Sequence, residues 1–171
     1  MWDGEEPPLI LCESRSLAGV LRDIARDYLC PIAATNGQAG GFLHTEIAPL
    51  VKGGRRVFYM GDLDLSGSHI EENTRAVLQG YGELDWEKVA ITDAQVRERD
   101  LPVKTKLDYR FKPARAFDAV ETEALGQARI MELLTEMLEA AVPEPLSEAL
   151  EREQRQRVQV RERLRSDETD E

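Results

Sequence analysis

The sequence predicts an α/β fold, with a parallel sheet of about four strands covered by helices on both faces. Short apolar runs rich in β-forming residues alternate three times with segments whose apolar residues recur at helical spacing, and the links between them are short. The chain has 171 residues, 42% of them hydrophobic, which is enough for one domain with its own core.

The predicted sheet and its helices occupy roughly the first 93 residues. In order, we expect a strand at 9–12, a helix at 17–28, a strand at 31–34, a flexible loop at 36–41, a helix at 43–51, a strand at 56–60, a helix at 70–81 and a strand within 86–92. Ser14 or Ser16 can cap the first helix, and Gly53 and Gly54 end the second.

The second half of the chain predicts helices outside the sheet. We expect one helix at about 121–141, a break at Pro143 and Pro145, a mostly polar helix at 146–165 and a frayed acidic tail. The chain then divides into a lead-in at 1–8, a domain at 9–142 and a C-terminal helix with its tail at 143–171.

Composition excludes several classes of protein. No apolar run approaches the ~18 residues of a membrane helix, so we expect no membrane partner. The net charge of −11 argues against binding nucleic acid by bulk electrostatics. The two cysteines, Cys12 and Cys30, lie in or beside predicted strands and are interpreted as buried thiols, which favours a cytoplasmic location.

Three acidic residues follow two of the predicted strands. Glu13 comes after the first strand, and Asp62 and Asp64 come after the third. The carboxyl ends of neighbouring parallel strands converge on one crevice, so these carboxylates are expected to meet there. Oxygen ligands around an open rim suit Mg²⁺, and Mn²⁺ can take the same place.

Other interpretations of the Asp-x-Asp-x-Ser-Gly motif compete with this one. An EF-hand loop needs Glu at its twelfth position, where Asn73 stands. A haloacid-dehalogenase-like phosphatase carries Asp-x-Asp after its first strand, and a receiver domain carries paired acids there and a lysine late in the sheet. In a purely structural interpretation, Asp64 or Ser66 only caps the next helix.

A larger part of the chain resembles a known family. A strand ending in Glu13 and a later strand followed by Asp62-Leu-Asp64 look like a Toprim domain. Residues 92–108 and the run Glu-Thr-Glu-Ala-Leu at 121–125 resemble the Toprim domain of the topoisomerase VI A subunit and its meiotic double-strand-break relatives. The loop at 35–43 resembles the second βα loop of that family, and the likeness covers about residues 9–138.

The resemblance implies roles for individual residues. Glu13 would be a metal ligand or a proton-transfer group, and Asp62 and Asp64 would hold Mg²⁺. Arg15 and Gly67 lie where each could meet a phosphate. The stretch at 102–115 has five basic residues against one acid, so it is either a solvated loop or a phosphate-contacting edge. Its candidate contacts are Lys104, Lys106 and Arg110.

The nucleophile expected for that family has no counterpart in this sequence. Topoisomerase VI-like enzymes break DNA with a tyrosine of a winged-helix domain upstream of Toprim, and residues 1–8 alone precede the first strand here. We therefore expect a longer parent protein or a partner subunit, with DNA as the macromolecular ligand and a homo-oligomer as a further option. Two hypotheses stay open: an Mg²⁺-dependent DNA-cleaving enzyme of topoisomerase or nuclease type, or a Toprim module that binds metal and DNA without chemistry.

Overall fold

The structure, a computed structural model, describes residues 1–2, 4–36, 40–109 and 111–169. Four strands pair in parallel in the order β2-β1-β3-β4. They are β1 (Leu9–Cys12), β2 (Ile32–Ala34), β3 (Arg55–Met60) and β4 (Leu84–Ala90). The predicted α/β class, with a four-stranded parallel sheet, is confirmed.

Helices cover both faces of this sheet. The α-helices of the described residues are α1 (Arg15–Asp27), α2 (Ala48–Val51), α3 (Leu65–Gln79), α4 (Asp93–Arg99), α5 (Gln127–Ala141) and α6 (Leu146–Thr169). Side chains alternate along each strand, so Ile10 and Phe58 face a core shared with α1 and α5. Leu9 and Val57 face the opposite core, which α2, α3 and the π-helical turn Leu43–Ile47 complete.

The strand order places a topological switch point at the carboxyl ends of β1 and β3. The chain leaves β1 for β2 on one side and then crosses β1 to form β3 on the other side. The two connecting segments therefore diverge and leave a crevice, which is where ligands bind in open α/β sheets.

The basic stretch supplies β5 and the first residue of β6 in a β-hairpin, so the solvated-loop alternative was wrong and the phosphate-contacting edge stays a prediction. Strands β5 (Lys104–Asp108) and β6 (Arg115–Ala119) pair antiparallel in a separate two-stranded sheet. Leu63 and Val120 then exchange backbone hydrogen bonds of 2.9 and 3.0 Å, which fasten the base of the hairpin to the loop after β3. The charge of this stretch concealed its strand character.

Other boundaries also differ from the prediction. The segment predicted as one helix from 121 begins with a 3₁₀ turn, Thr122–Leu125, and Gly126 with its positive φ of 77° separates that turn from α5. Helix α4 was not predicted, although Thr92 and Gln95 form a capping box at its start. Helix α6 carries half-exposed apolar side chains at Leu150 and Val158. No helix in the described part of the chain combines the length and apolar character needed to cross a membrane.

Candidate functional site

Glu13 and Asp62 meet at the switch point because β1 and β3 are neighbours. The Glu13 N–H donates to the Met60 carbonyl at 2.8 Å, which continues the β1–β3 pairing by one residue. The Asp62 N–H then donates to Glu13 Oε2 at 2.9 Å. The backbone of one acidic residue thus fixes the side chain of the other, and the predicted convergence of these two residues occurs.

Asp62 is held in turn by Thr122, which is 60 residues away in sequence. Asp62 Oδ1 accepts hydrogen bonds from the Thr122 N–H at 2.8 Å and from its hydroxyl at 2.9 Å. Thr122 is buried at the start of the 3₁₀ turn, directly after the bridge between Leu63 and Val120. Two donors on one oxygen restrict the carboxylate to a single orientation.

Asp64 has a different environment from the other two acids. Its Oδ1 accepts from the Gly67 N–H at 2.7 Å and caps α3, as the structural interpretation of the motif predicts. Its Oδ2 forms an ion pair of 2.8 Å with Lys106 of the hairpin. Burial favours a higher pKa for Asp64, but the hydrogen bonds from Gly67 and Lys106 outweigh it, so the pKa lies below its usual range.

Gly67 packs against the loop that carries Asp62. A Cβ atom at this position would lie 2.5 Å from the Asp62 carbonyl oxygen and 3.3 Å from Glu13 Oε2. The first turn of α3 can approach the acidic loop this closely only because residue 67 has no side chain. These contacts do not test the prediction that Gly67 meets a phosphate. They show that Gly67 allows α3 to pack closely against the acidic loop.

Electrostatics distinguish Glu13 within the site. Its pKa is raised, first by burial and further by the negative charges of Asp62 and Asp64, while the hydrogen bond from Asp62 acts in the opposite direction. Lys88 also lowers the pKa from nearby, although its Nζ pairs with Glu71 at 2.9 Å. Glu13 therefore holds a proton more readily than Asp64, whose pKa is lowered.

The two carboxylates line one cleft of about 350 Å³. Its other lining residues are Ser14, Leu17, Asn36, Thr122 and Glu123. Among the described residues, no hydrogen bond reaches Glu13 Oε1 or Asp62 Oδ2, which leaves one oxygen of each carboxylate open to a ligand.

The donor set fits Mg²⁺ in part. In the described part of the chain, no three His, Cys, Asp or Glu side chains are arranged to hold a metal together. Both oxygens of Asp64 have partners, so this residue is not placed as a third ligand. One or two carboxylates are nevertheless a usual protein contribution to an Mg²⁺ site, which keeps several waters and is completed by phosphate.

The predicted phosphate contacts lie in different places. Arg15 is the first residue of α1 and lines a neighbouring cavity instead of the carboxylate cleft. Lys104 pairs with Glu121 at 2.9 Å, and Lys106 pairs with Asp64. Arg110 lies outside the described residues. None of these contacts tests phosphate binding, which stays a prediction for all four residues.

Two interactions of the site were not predicted from the sequence. Thr122 donates two hydrogen bonds to Asp62, but nothing in the sequence around either residue indicates this contact. In the sequence, the run at 121–125 shows only its resemblance to Toprim domains. Glu71, beside the site on α3, accepts from the Trp86 indole at 3.0 Å and pairs with Lys88, so it belongs to a structural network.

Fold and site together define a class of protein: a parallel α/β domain with a carboxylate cleft at its topological switch point. Beyond this class, comparison with known proteins adds nothing, because no family model, no curated protein and no solved structure matches the chain.

Proposed function

We propose that this chain is a Toprim-like, metal-binding domain of an Mg²⁺-dependent enzyme that cleaves DNA phosphodiester bonds. The observation that supports this function most directly is that Glu13 and Asp62 meet at the switch point. One oxygen of each carboxylate there accepts no hydrogen bond from the described residues. The resemblance of residues 9–138 to topoisomerase VI-like Toprim domains supports the same function. A cytoplasmic location and assembly into a homo-oligomer are parts of this proposal.

Glu13 and Asp62 would hold the ion, and Asp64 could join them when its pair with Lys106 opens. A bound Mg²⁺ ion would neutralise phosphate charge and stabilise the oxygen that leaves. Thr122 keeps Asp62 in one orientation, and the Asp62 N–H does the same for Glu13. Alternatively, Glu13 would hold or transfer a proton beside the phosphate, a role that its raised pKa suits.

The attacking group would come from water or from a tyrosine on a winged-helix domain or partner subunit. Of the four tyrosines in this chain, Tyr28 and Tyr59 are buried, while Tyr81 and Tyr109 are exposed. None of the four lines the carboxylate cleft. The proposal therefore assigns metal and phosphate binding to this chain and leaves the nucleophile outside it.

A second candidate is a DNA- and metal-binding Toprim module without chemistry of its own. The ion pair between Asp64 and Lys106 favours it, because this pairing occupies Asp64 Oδ2 and makes Asp64 unavailable as a third acidic ligand. The two candidates differ in one observable, which is whether the phosphodiester bond breaks.

Nicking of supercoiled plasmid in Mg²⁺, compared with EDTA, tests the proposal. We expect metal-dependent nicking, its loss in Asp62→Asn, and its retention in Asp85→Asn. Asp85 is a suitable control because it is exposed at the start of β4, where it pairs with Arg56 at 2.7 Å. Equal nicking by Asp62→Asn and the parent protein would reject the catalytic assignment.

Thermal unfolding with and without Mg²⁺ tests metal binding separately. A ligand that binds only the folded state raises the melting temperature, so the parent protein should respond and Asp62→Ala should respond much less. A response in the parent without nicking would reject water as the attacking group and favour either the non-catalytic module or a tyrosine of a partner subunit. Equal responses in the two proteins would reject the metal site.

A further inference from the structure

A second cavity, of about 720 Å³, lies beside the carboxylate cleft, between α1 and the edge strand β2. It is called the α1–β2 groove here. Its α1 wall presents Arg15, Ala18, Gly19 and Arg22, and its other wall is formed by residues 32–36 and 40–42. Asn36 lines both the groove and the carboxylate cleft, so the two cavities are adjacent.

The groove is flanked by two exposed arginines on one face of α1. Arg15 and Arg22 are seven residues apart, which places them two turns and about 10 Å apart along the helix. In the part of the chain that the structure describes, neither guanidinium has an ion-pair partner. Arg26, on the next turn, pairs with Asp23 at 2.9 Å and with Asp27 at 3.5 Å.

Their separation allows each arginine to meet its own phosphate. Two guanidiniums on one helix face, about 10 Å apart along its axis, can contact separate phosphates of the same strand. Two unpaired guanidiniums are well suited to phosphate, which they bind through paired N–H donors. The chain carries a net charge of −11, and these two cations face a cavity that adjoins the proposed phosphate site.

The opposite wall offers a surface for a base. Phe42 lines the groove with 44% of its surface exposed, and Ile32 and Ala33 provide an apolar floor on the strand side. Between the arginines, Gly19 leaves space, because a Cβ atom there would meet nothing within 4 Å. A cationic track with an exposed aromatic ring is the combination that binds single-stranded nucleic acid. The volume is that of a small-ligand site, which is sufficient for part of one strand.

We propose that the α1–β2 groove binds a short single strand of DNA, with phosphates on Arg15 and Arg22 and a base stacked on Phe42. The strand would continue from the phosphate at the carboxylate cleft, and in this respect the inference rests on the proposed function. The substrate would then be DNA that is unpaired on one side of the cleavage position.

Fluorescence anisotropy with a labelled oligo-dT strand tests this proposal, with a blunt duplex measured in parallel. The titrations are made in EDTA over a range of salt concentrations, so the metal site does not contribute. We expect tighter binding to the single strand than to the duplex. Arg15→Ala/Arg22→Ala should weaken binding at least tenfold and reduce the salt slope by about 0.7 for each phosphate that the variant no longer binds.

Two further variants separate charge from stacking. Arg26→Ala removes an arginine of the same helix whose charge is already paired, and it should leave both affinity and salt slope unchanged. Phe42→Ala should weaken binding about fivefold or more without changing the slope, because stacking releases no counterions. Circular dichroism should show that all variants keep the parent fold, since each replaced side chain is exposed.

Several results would overturn the groove assignment. These are equal reductions in affinity for Arg26→Ala and the double variant, an unchanged salt slope in the double variant, or tighter binding to the duplex. The result of the plasmid-nicking assay does not depend on the result of the anisotropy measurement. Impaired single-strand binding in the groove variants, together with unimpaired nicking by Asp62→Asn, would reject the proposed function and retain the groove.

Discussion

Replacement of Gly67 by alanine should destabilise the protein, although alanine is the better helix former. Gly67 lies in the first turn of α3, and a helical Gly→Ala change by itself stabilises by up to about 1 kcal/mol. The new Cβ, however, would lie 2.5 Å from the Asp62 carbonyl oxygen and 3.2 Å from its carbonyl carbon. These are backbone atoms, so no side-chain rotation can relieve the contact.

The Asp62 backbone also has little freedom to move away. The Asp62 side chain accepts two hydrogen bonds from Thr122, and the next residue, Leu63, is fastened to Val120. Overpacking of this kind costs about 1–3 kcal/mol, and the short contact indicates the upper part of that range. The net expected reduction in stability is about 2 kcal/mol, or about 4–8 °C in melting temperature for a domain of this size.

Gly19→Ala is the matched control for Gly67→Ala. Gly19 lies within α1, is exposed and has nothing within 4 Å of its would-be Cβ. This variant should gain about 1 kcal/mol from helix propensity alone. Urea unfolding followed by circular dichroism measures both changes. A Gly67→Ala protein as stable as the parent would refute the close-packing argument, whatever the result for Gly19→Ala.

Three further predictions concern the site and the core. Lys106→Met frees Asp64 Oδ2, the acidic oxygen that could join Glu13 and Asp62 as a ligand. The Mg²⁺-dependent rise in melting temperature should therefore exceed that of the parent and of Lys104→Met, and equal rises would contradict this. Because the pKa of Glu13 is raised in the folded state, its contribution to stability is present below pH 4.5 and is lost as pH rises through the folded pKa. Glu13→Gln should therefore be more stable than the parent at about pH 7, with a smaller difference at about pH 4, and melting curves at both pH values check this. Tyr59→Phe removes a buried hydroxyl that has no hydrogen-bond partner among the described residues, so it should cost no stability. Tyr28→Phe removes a hydrogen bond to the Glu139 carboxylate and should cost about 1 kcal/mol. Similar urea midpoints for the two variants would contradict this.

The fold class could be predicted because its signals are local. Buried strands such as Leu9–Cys12 are apolar runs, and the face of α1 that carries Leu17 and Leu21 repeats at helical spacing. Both patterns are present within a few residues of sequence. The convergence of Glu13 and Asp62 follows from the same information, because parallel strands end at a common edge.

The hairpin shows where such local reasoning led to a wrong result. Strands β5 and β6 are mostly exposed, so their side chains do not carry the apolar pattern of a buried strand. Their strand character depends on pairing with each other, and the identity of a partner strand is not a local property of either segment. The positive charge of this stretch gave no information on its backbone conformation.

By itself, the sequence determined the class of fold, the order of its central elements and the meeting of Glu13 and Asp62, but it also predicted Asp64 as a third ligand. The tertiary structure alone decided the strand order, the fixing of Asp62 by Thr122 and the pairing of Asp64 with Lys106. The physical reason is sequence separation. Helical and strand periodicity arises between near neighbours, whereas these contacts join residues 42 and 60 positions apart and form only when the whole chain packs.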